Sequence, residues 1–454
     1  MFLGAPPLIA LRSRTVELGK HLGKGIWGVA DKTLPVVYGI AYVLLVIRVL
    51  PQEEFGNFVL IQEIFLIITG LAMGFALQPL LKYAAESRAD TAGIVTASLL
   101  FNLAFTVCCS LVIVLFRAPL SALLNSPTLE PLLLYLPAMF AASFIRNKAL
   151  ILLQTRFRIR EVFWVDAAHF LGAPLLIWVF SRMHMFSSAL DLITINIISL
   201  SVSSLVGLLY AGPMMRLTLK PPRADIERIW NYGKFSLGGI FSYLVYTKVD
   251  SFILSAVAGP VQVAVYNSVK VFTRIYDMVT QVVQMFVLPA VSRLSSERRQ
   301  ESLKVLVEKA IAFSTIAMVP AFLFLLVMAE PMIDILYGGK YNEAVPLLRI
   351  LSVLTIVVPL IAVASNTLMG LGQARVSFVL AVQILVTSVV VYLVLIPLLG
   401  ALGAAIGYVL SAVVLAWLTA VKMDRFVHVT PAEVFRRKDD IGRFLKKRFG
   451  RGNT

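Results

Sequence analysis

Lys270, Arg274 and Asp277 stand at i, i+4 and i+7 inside an apolar stretch, a spacing that puts all three on one face of an α-helix. A charge facing lipid at mid-membrane costs on the order of 3 kcal/mol even on lenient insertion scales, so that face must turn toward a protein interior or a polar cavity. Lys248 and Lys270 each lie about nine residues inside their stretches, roughly 14 Å at 1.5 Å per residue, and so at similar depth. Arg146 and Lys148 match Asp166 in depth from the opposite side, which suits an ion pair, either one that holds two helices together or one that serves transport. The intramembrane acids are Asp31, Glu63, Asp166, Asp250 and Asp277; the bases are Lys32, Arg146, Lys148, Lys248, Lys270, Arg274 and Arg349. An interior that leans positive attracts an anion, and Arg suits the paired oxygens of phosphate. Asp31 and Lys32 sit where an interface anchor and a gate are equally good readings, whereas Glu63, Asp250 and Arg349 lie nearer the outer ends and suit an outer closing contact. His169 reads as a hydrogen-bonded packing residue before a proton carrier.

These residues need long apolar helices to carry them. The chain has 454 residues, 59% hydrophobic and 15% charged, with a mean hydropathy of +0.86, too little polar surface for a soluble globule of that size. Windows of about 20 apolar residues predict spans near 26–50, 57–81, 93–116, 131–154, 161–181, 190–215, 235–257, 262–291, 308–329, 344–370, 376–398 and 401–422. The fold class is therefore an all-α integral membrane protein with about 12 transmembrane helices. The longest inner loop divides the spans six and six, giving an N-terminal segment 1–24, a first bundle 25–215, a linker 216–234, a second bundle 235–424 and a basic tail 425–454. With the N-terminus inside, inner loops hold sixteen Lys and Arg against three outside, Arg117, Arg182 and Lys340, so both termini are expected in the cytoplasm. Loops and tail account for the net charge of +16 without nucleic acid.

Enzyme chemistry finds no support in the sequence. Cys108 and Cys109 are adjacent in an apolar stretch, which suits packing rather than a disulfide or metal cluster, and no HExxH, GxSxG, P-loop or CxxC pattern occurs. We therefore expect no catalytic residue, no metal and no cofactor. Prolines 35, 79, 174, 289, 320 and 359 interrupt spans and free backbone groups that protein or cavity must satisfy.

Four stretches carry a family resemblance: RVLPQEEFGNFVL at 48–60, KVDSFILSAVAGPVQVAVYNSVKVFTRI at 248–275, ILYGGKYNEAVPLLRIL at 335–351, and 371–411 with Gly400, Gly403 and Ala404 at a tight turn. Their order and spacing resemble the polysaccharide translocases, or O-antigen flippases, of the multidrug/oligosaccharidyl-lipid/polysaccharide exporter superfamily. The resemblance implies two six-helix bundles around a central cavity and alternating-access translocation of undecaprenyl-pyrophosphate-linked sugar repeat units across the bacterial inner membrane. It implies a headgroup held by Arg146, Lys148, Lys248, Lys270 and Arg274, and as partners the bilayer, the lipid-linked oligosaccharide and polysaccharide assembly proteins. Asp31, Lys32, Glu63, Asp166, Asp250, Asp277 and Arg349 are then gating or ion-pair residues. The alternatives are an ion-coupled drug or metabolite exporter of the same fold, with Asp31, Asp250 and Asp277 binding the coupling cation, and a membrane enzyme of glycan assembly, which the short outer loops disfavour.

Overall fold

The computed structural model describes residues 27–86, 91–437 and 440; the expected N-terminal segment 1–24 and the tail beyond 440 lie outside the described residues. Among them, eleven helices are long and apolar enough to cross a membrane. They are α1 (Trp27–Ile47), α2 (Gln52–Ala85), α3 (Ala92–Leu115), α4 (Leu129–Thr155), α5 (Ile159–Arg182), α6 (Ala189–Met214), a double-length helix from Arg223 to Thr273, α9 (Gln300–Tyr337), α10 (Asn342–Gly370), α11 (Arg375–Leu399) and α12 (Ala401–Asp424). The double-length helix has 51 residues. At 1.5 Å per residue it would measure about 77 Å, more than twice a hydrocarbon core of about 30 Å. Gly259, with φ 77° and ψ 176°, breaks it immediately before Pro260. Its halves are α7 (223–258) and the start of α8, which continues through a tight 3₁₀ turn at Val271–Thr273 into Arg274–Ser296. Among the described residues this gives twelve helical stretches long enough to cross a membrane, and the chain is a multi-span, helical membrane protein.

The apolar faces fit that reading. On α3, Leu100, Leu103, Val107, Leu111 and Leu115 form one stripe that is 44–75% exposed, a surface that would drive aggregation in water and is at ease in lipid.

The helices form two compact units. One contains the residues up to Pro51, Ile61–Ala118 and Thr128–Ile240; the other contains Gln52–Leu60, Pro119–Pro127 and the chain from Phe241. In the first unit, α4, α5 and α6 bury Ala149, Leu153, Val162, Val165 and Ala211 together. The helix α2 opens into a wide π turn at Met73–Leu77, and the carbonyls around it are met by side chains of α3: Ser98 Oγ donates to Ala76 O at 2.7 Å and Asn102 Nδ2 to Ala72 O at 3.5 Å. Residues 223–234, expected as linker, are helical and begin α7, and the chain on both sides of Pro221 and Pro222 packs on α3: Thr218 N–H donates to Thr96 Oγ1 at 3.0 Å, and Ile229 joins the core beside Ile94 and Val95.

In the second unit, α8, α9, α10 and α11 bury Val287, Val307, Val363 and Leu380 around one core. The α11–α12 turn is tight because Gly400 takes φ 57° and a Cβ on Gly403 would lie 2.1 Å from Leu395 O, which only glycine accommodates. The described part of the basic tail folds back: a short helix α13 (Pro431–Arg436) carries Val434 onto the core of the unit. Charges fasten it. Lys304 donates to Glu433 at 2.6 Å, Arg437 to Glu308 at 2.7 Å and Lys309 to Asp440 at 3.0 Å.

Candidate functional site

The second unit holds a buried ion pair beside a cavity. Asp250 of α7 is 1% exposed, and its Oδ2 accepts from Lys270 Nζ of α8 at 2.6 Å and from Tyr266 OH at 2.7 Å. Its Oδ1 accepts from the Ser251 N–H at 2.9 Å. Asp250 and Lys270 stand ten residues on either side of the Gly259–Pro260 break, about 15 Å along each helix. That is half the hydrocarbon thickness, where an unpaired charge costs most. The ammonium also donates to Thr247 O at 3.3 Å and lies 5.2 Å from the Tyr266 ring centre and 5.7 Å from that of Tyr408. Aromatic faces of this kind replace part of a cation's lost hydration.

Thr247 and Tyr408 also line a cavity of about 350 Å³ enclosed by α7, α8, α10, α11 and α12, so the Lys270 ammonium sits directly behind its wall. Tyr246, Tyr276, Ser365 and Thr419 add hydroxyls to an otherwise apolar lining. Nearby on α11 and α12, Tyr392 OH and Ser411 Oγ are buried without a partner. The arrangement sets a buried cation behind a cavity lined with hydroxyls, groups suited to hydrogen-bonding a polar ligand.

The first unit repeats the motif on other helices. Arg146 of α4 donates through Nη2 to Asp166 Oδ1 of α5, and through Nε to Ser203 Oγ of α6 at 3.1 Å. These two residues again stand ten positions on either side of a turn, at Arg156. Asp31 of α1 is close enough to act electrostatically on Asp166, and Lys32 Nζ lies 3.5 Å from Asp31. Two acidic and two basic residues thus cluster here, and Asp31 Oδ1 is left without a hydrogen-bond partner. His169 packs: its Nδ1 lies 3.0 Å from Ser199 Oγ and its ring touches those of Tyr38 and Phe170.

The remaining expected site residues divide as follows. Lys148 is 3% exposed and donates to Asn102 Oδ1 at 3.0 Å and Phe144 O at 3.2 Å, which ties α4 to the π turn of α2 through Asn102. The one-face spacing of Lys270, Arg274 and Asp277 is interrupted, because the 3₁₀ turn at Val271–Thr273 changes the angular step between them; the side chains of Arg274 and Asp277 lie outside the described residues. Asp250 and Arg349 do not meet in an outer closing contact: Asp250 holds Lys270, and Arg349 reaches Glu330 at 3.4 Å. Glu63 is 4% exposed, and Lys248 is half-buried on α7. Sequence reasoning missed Tyr266, although its i, i+4 spacing to Lys270 was visible, and it missed Tyr408 and Ser203, which come from helices remote in sequence.

The described residues form a multi-span helical membrane protein of two units, each with a charged pair buried between its helices. The description "Polysaccharide biosynthesis protein" matches residues 45–346, and the chain belongs to that family. It is 26% identical over 253 residues to the probable low-salt glycan biosynthesis flippase Agl15 of Haloferax volcanii, a match covering 56% of this chain and only 53% of the relative's length. Its fold is that of a lipid II flippase, MurJ, in an inward closed conformation, with TM-score 0.73 at 12% identity over 94% of this chain and 93% of the other. The fold is equally that of an inward-facing multidrug resistance transporter of the MATE family, with TM-score 0.72 at 18% identity over 88% and 97%. These relatives are flippases and transporters, not enzymes, so the glycan-assembly enzyme alternative falls away.

Proposed function

We propose that the chain carries undecaprenyl-pyrophosphate-linked oligosaccharide repeat units across the bacterial inner membrane by alternating access, for a surface polysaccharide such as O-antigen or exopolysaccharide. The observation that carries this reading is the Lys270 ammonium, held by Asp250 behind the wall of a hydroxyl-lined cavity. A phosphate oxygen entering there offers Lys270 a second anionic partner, and exchange of one charge-assisted hydrogen bond for another leaves the buried cation satisfied throughout. Arg146, in its pair with Asp166, has the same capacity in the first unit. Lys248 and Arg274 complete the set on α7 and α8. Family membership supports a glycan cargo; the shared fold alone serves flippases and drug exporters alike.

The full chain in reconstituted vesicles is expected to flip a fluorescent pyrophosphate-linked glycolipid and to leave the same glycolipid without phosphate in its original leaflet. Equal movement of both would remove the cation from the mechanism. The second reading, a cation-coupled drug exporter, is favoured by Asp31, whose unpartnered Oδ1 beside Asp166 could accept a cation. The same vesicles loaded with a cationic dye would report it as dye efflux driven by an ion gradient.

We also propose that both termini are cytoplasmic, on the charge distribution of the loops. Reporter domains fused after Thr454 and within 216–222 should signal inside, and one placed at Pro51 outside. An external signal from either of the first two would invert the topology.

A further inference from the structure

Three cations converge on one small cavity at the end of the second unit where α11 begins and α12 ends. Arg375, Lys422 and Arg425 line a space of about 200 Å³ together with Val376, Val379 and Phe426. Its depth follows from the helices. Counted from the α11–α12 turn at Gly400, Arg375 lies about 37 Å away and Lys422 about 33 Å, just beyond a hydrocarbon core of about 30 Å and so at the level of lipid headgroups.

Several other cations at this end of the unit meet acids. Arg293 and Arg299 reach Glu297, Lys304 reaches Glu433, Lys309 reaches Asp440, and Arg437 reaches Glu308. Among the described residues, none of Arg375, Lys422 and Arg425 meets a carboxylate; the nearest acid in sequence, Asp424, faces His428 at 3.3 Å. The start of α11 adds to the field, for its N-cap residue Gln373 makes no side-chain capping bond and leaves first-turn N–H groups unsatisfied there. Three unpaired charges held together at one place repel one another, and an anion relieves that repulsion. The apolar part of the lining, Val376, Val379 and Phe426, suits a ligand whose charge is joined to a hydrocarbon chain.

We propose that this cavity is a binding site for the phosphodiester headgroup of an anionic phospholipid, with its first methylenes against Val376, Val379 and Phe426. The site is separate from the Lys270 cavity and does not depend on what that cavity carries. A bound lipid there would tie the ends of α11 and α12 to the leaflet surface.

The test uses the full chain in mild detergent, titrated with dioleoylphosphatidylglycerol or dioleoylphosphatidylcholine, with retained lipid counted by native mass spectrometry. Phosphatidylglycerol should be retained over phosphatidylcholine. Arg375→Gln, Lys422→Gln and Arg425→Gln should each weaken its retention about five-fold, the worth of one basic residue near an anionic surface. Arg425→Lys should retain most of it, and Arg182→Gln, which removes an exposed cation elsewhere, should leave it unchanged. Equal retention of the two lipids, undiminished retention in the triple Gln variant, or an equal loss in Arg182→Gln would overturn the proposal. Displacement of phosphatidylglycerol by inorganic phosphate as effectively as by excess lipid would overturn the lipid and leave a bare-anion site.

Discussion

Replacing Lys270 with Gln is expected to slow flipping of a pyrophosphate-linked glycolipid by about 10- to 100-fold, while the protein still reaches the membrane. The magnitude is that of one lost charge-assisted hydrogen bond, about 1.5–3 kcal/mol. Lys270→Arg keeps the charge and should restore part of the rate. Asp250→Asn separates transport from packing, because its two effects run in opposite directions. Asp250 is 1% exposed and is the resting partner of Lys270. Without its charge the ammonium is left for the phosphate alone, so headgroup binding should tighten. At the same time the fold should lose stability, by less than the roughly 3–5 kcal/mol of a fully broken buried pair, since Asn retains a hydrogen bond to Tyr266 and Lys270 can reach into the cavity. Thermal unfolding and equilibrium binding of the glycolipid measure the two effects. If both variants merely unfolded earlier, with glycolipid affinity and flipping unaltered, Asp250 and Lys270 would be a helix lock and nothing more.

The tail carries the second large effect. Arg437→Ala should destabilise the second unit by about 3–5 kcal/mol, because Glu308 is 0% exposed and Arg437 Nη2, at 2.7 Å, is its close partner; Lys304 stands off at 3.9 Å. Thermal unfolding in detergent would register the loss, and the Glu308→Gln/Arg437→Ala double variant should recover most of it by removing the stranded charge. A single variant as stable as the parent would show that the docked tail contributes nothing there. The dependence on pH has a definite sign. Glu433 is held down to about 2, first by the hydrogen bond from Lys304 and then by those from Thr430. A depressed carboxylate contributes its stability above the ordinary glutamate range and loses it as pH falls toward the folded value. Docking of α13 should therefore be indifferent to pH from neutral to about 5 and weaken between about 4.5 and 2.

Hydropathy alone determined that this chain crosses the membrane some twelve times, since each crossing must satisfy its backbone internally and is therefore a continuous apolar helix that a window of about 20 residues detects. Gly259–Pro260 marks the break between α7 and α8 for an equally local reason, because a glycine at positive φ followed by a proline does not continue a helix. Counting also contained the Asp250–Lys270 pair, symmetric about that break. The sequence reading instead set Lys248 beside Lys270 and sent Asp250 outward, because depth does not reveal which way a side chain points around the helix. The 3₁₀ turn at Val271–Thr273 likewise changes the backbone step between Lys270 and Arg274, which a uniform period does not anticipate. Only the tertiary structure brought Tyr408 to Lys270, Ser203 to Arg146, Arg437 to Glu308, and Arg375 to Lys422 and Arg425. Those partners lie from 47 to 138 residues apart along the chain. Their meeting is set by how whole helices pack, and no local rule of composition or spacing encodes it.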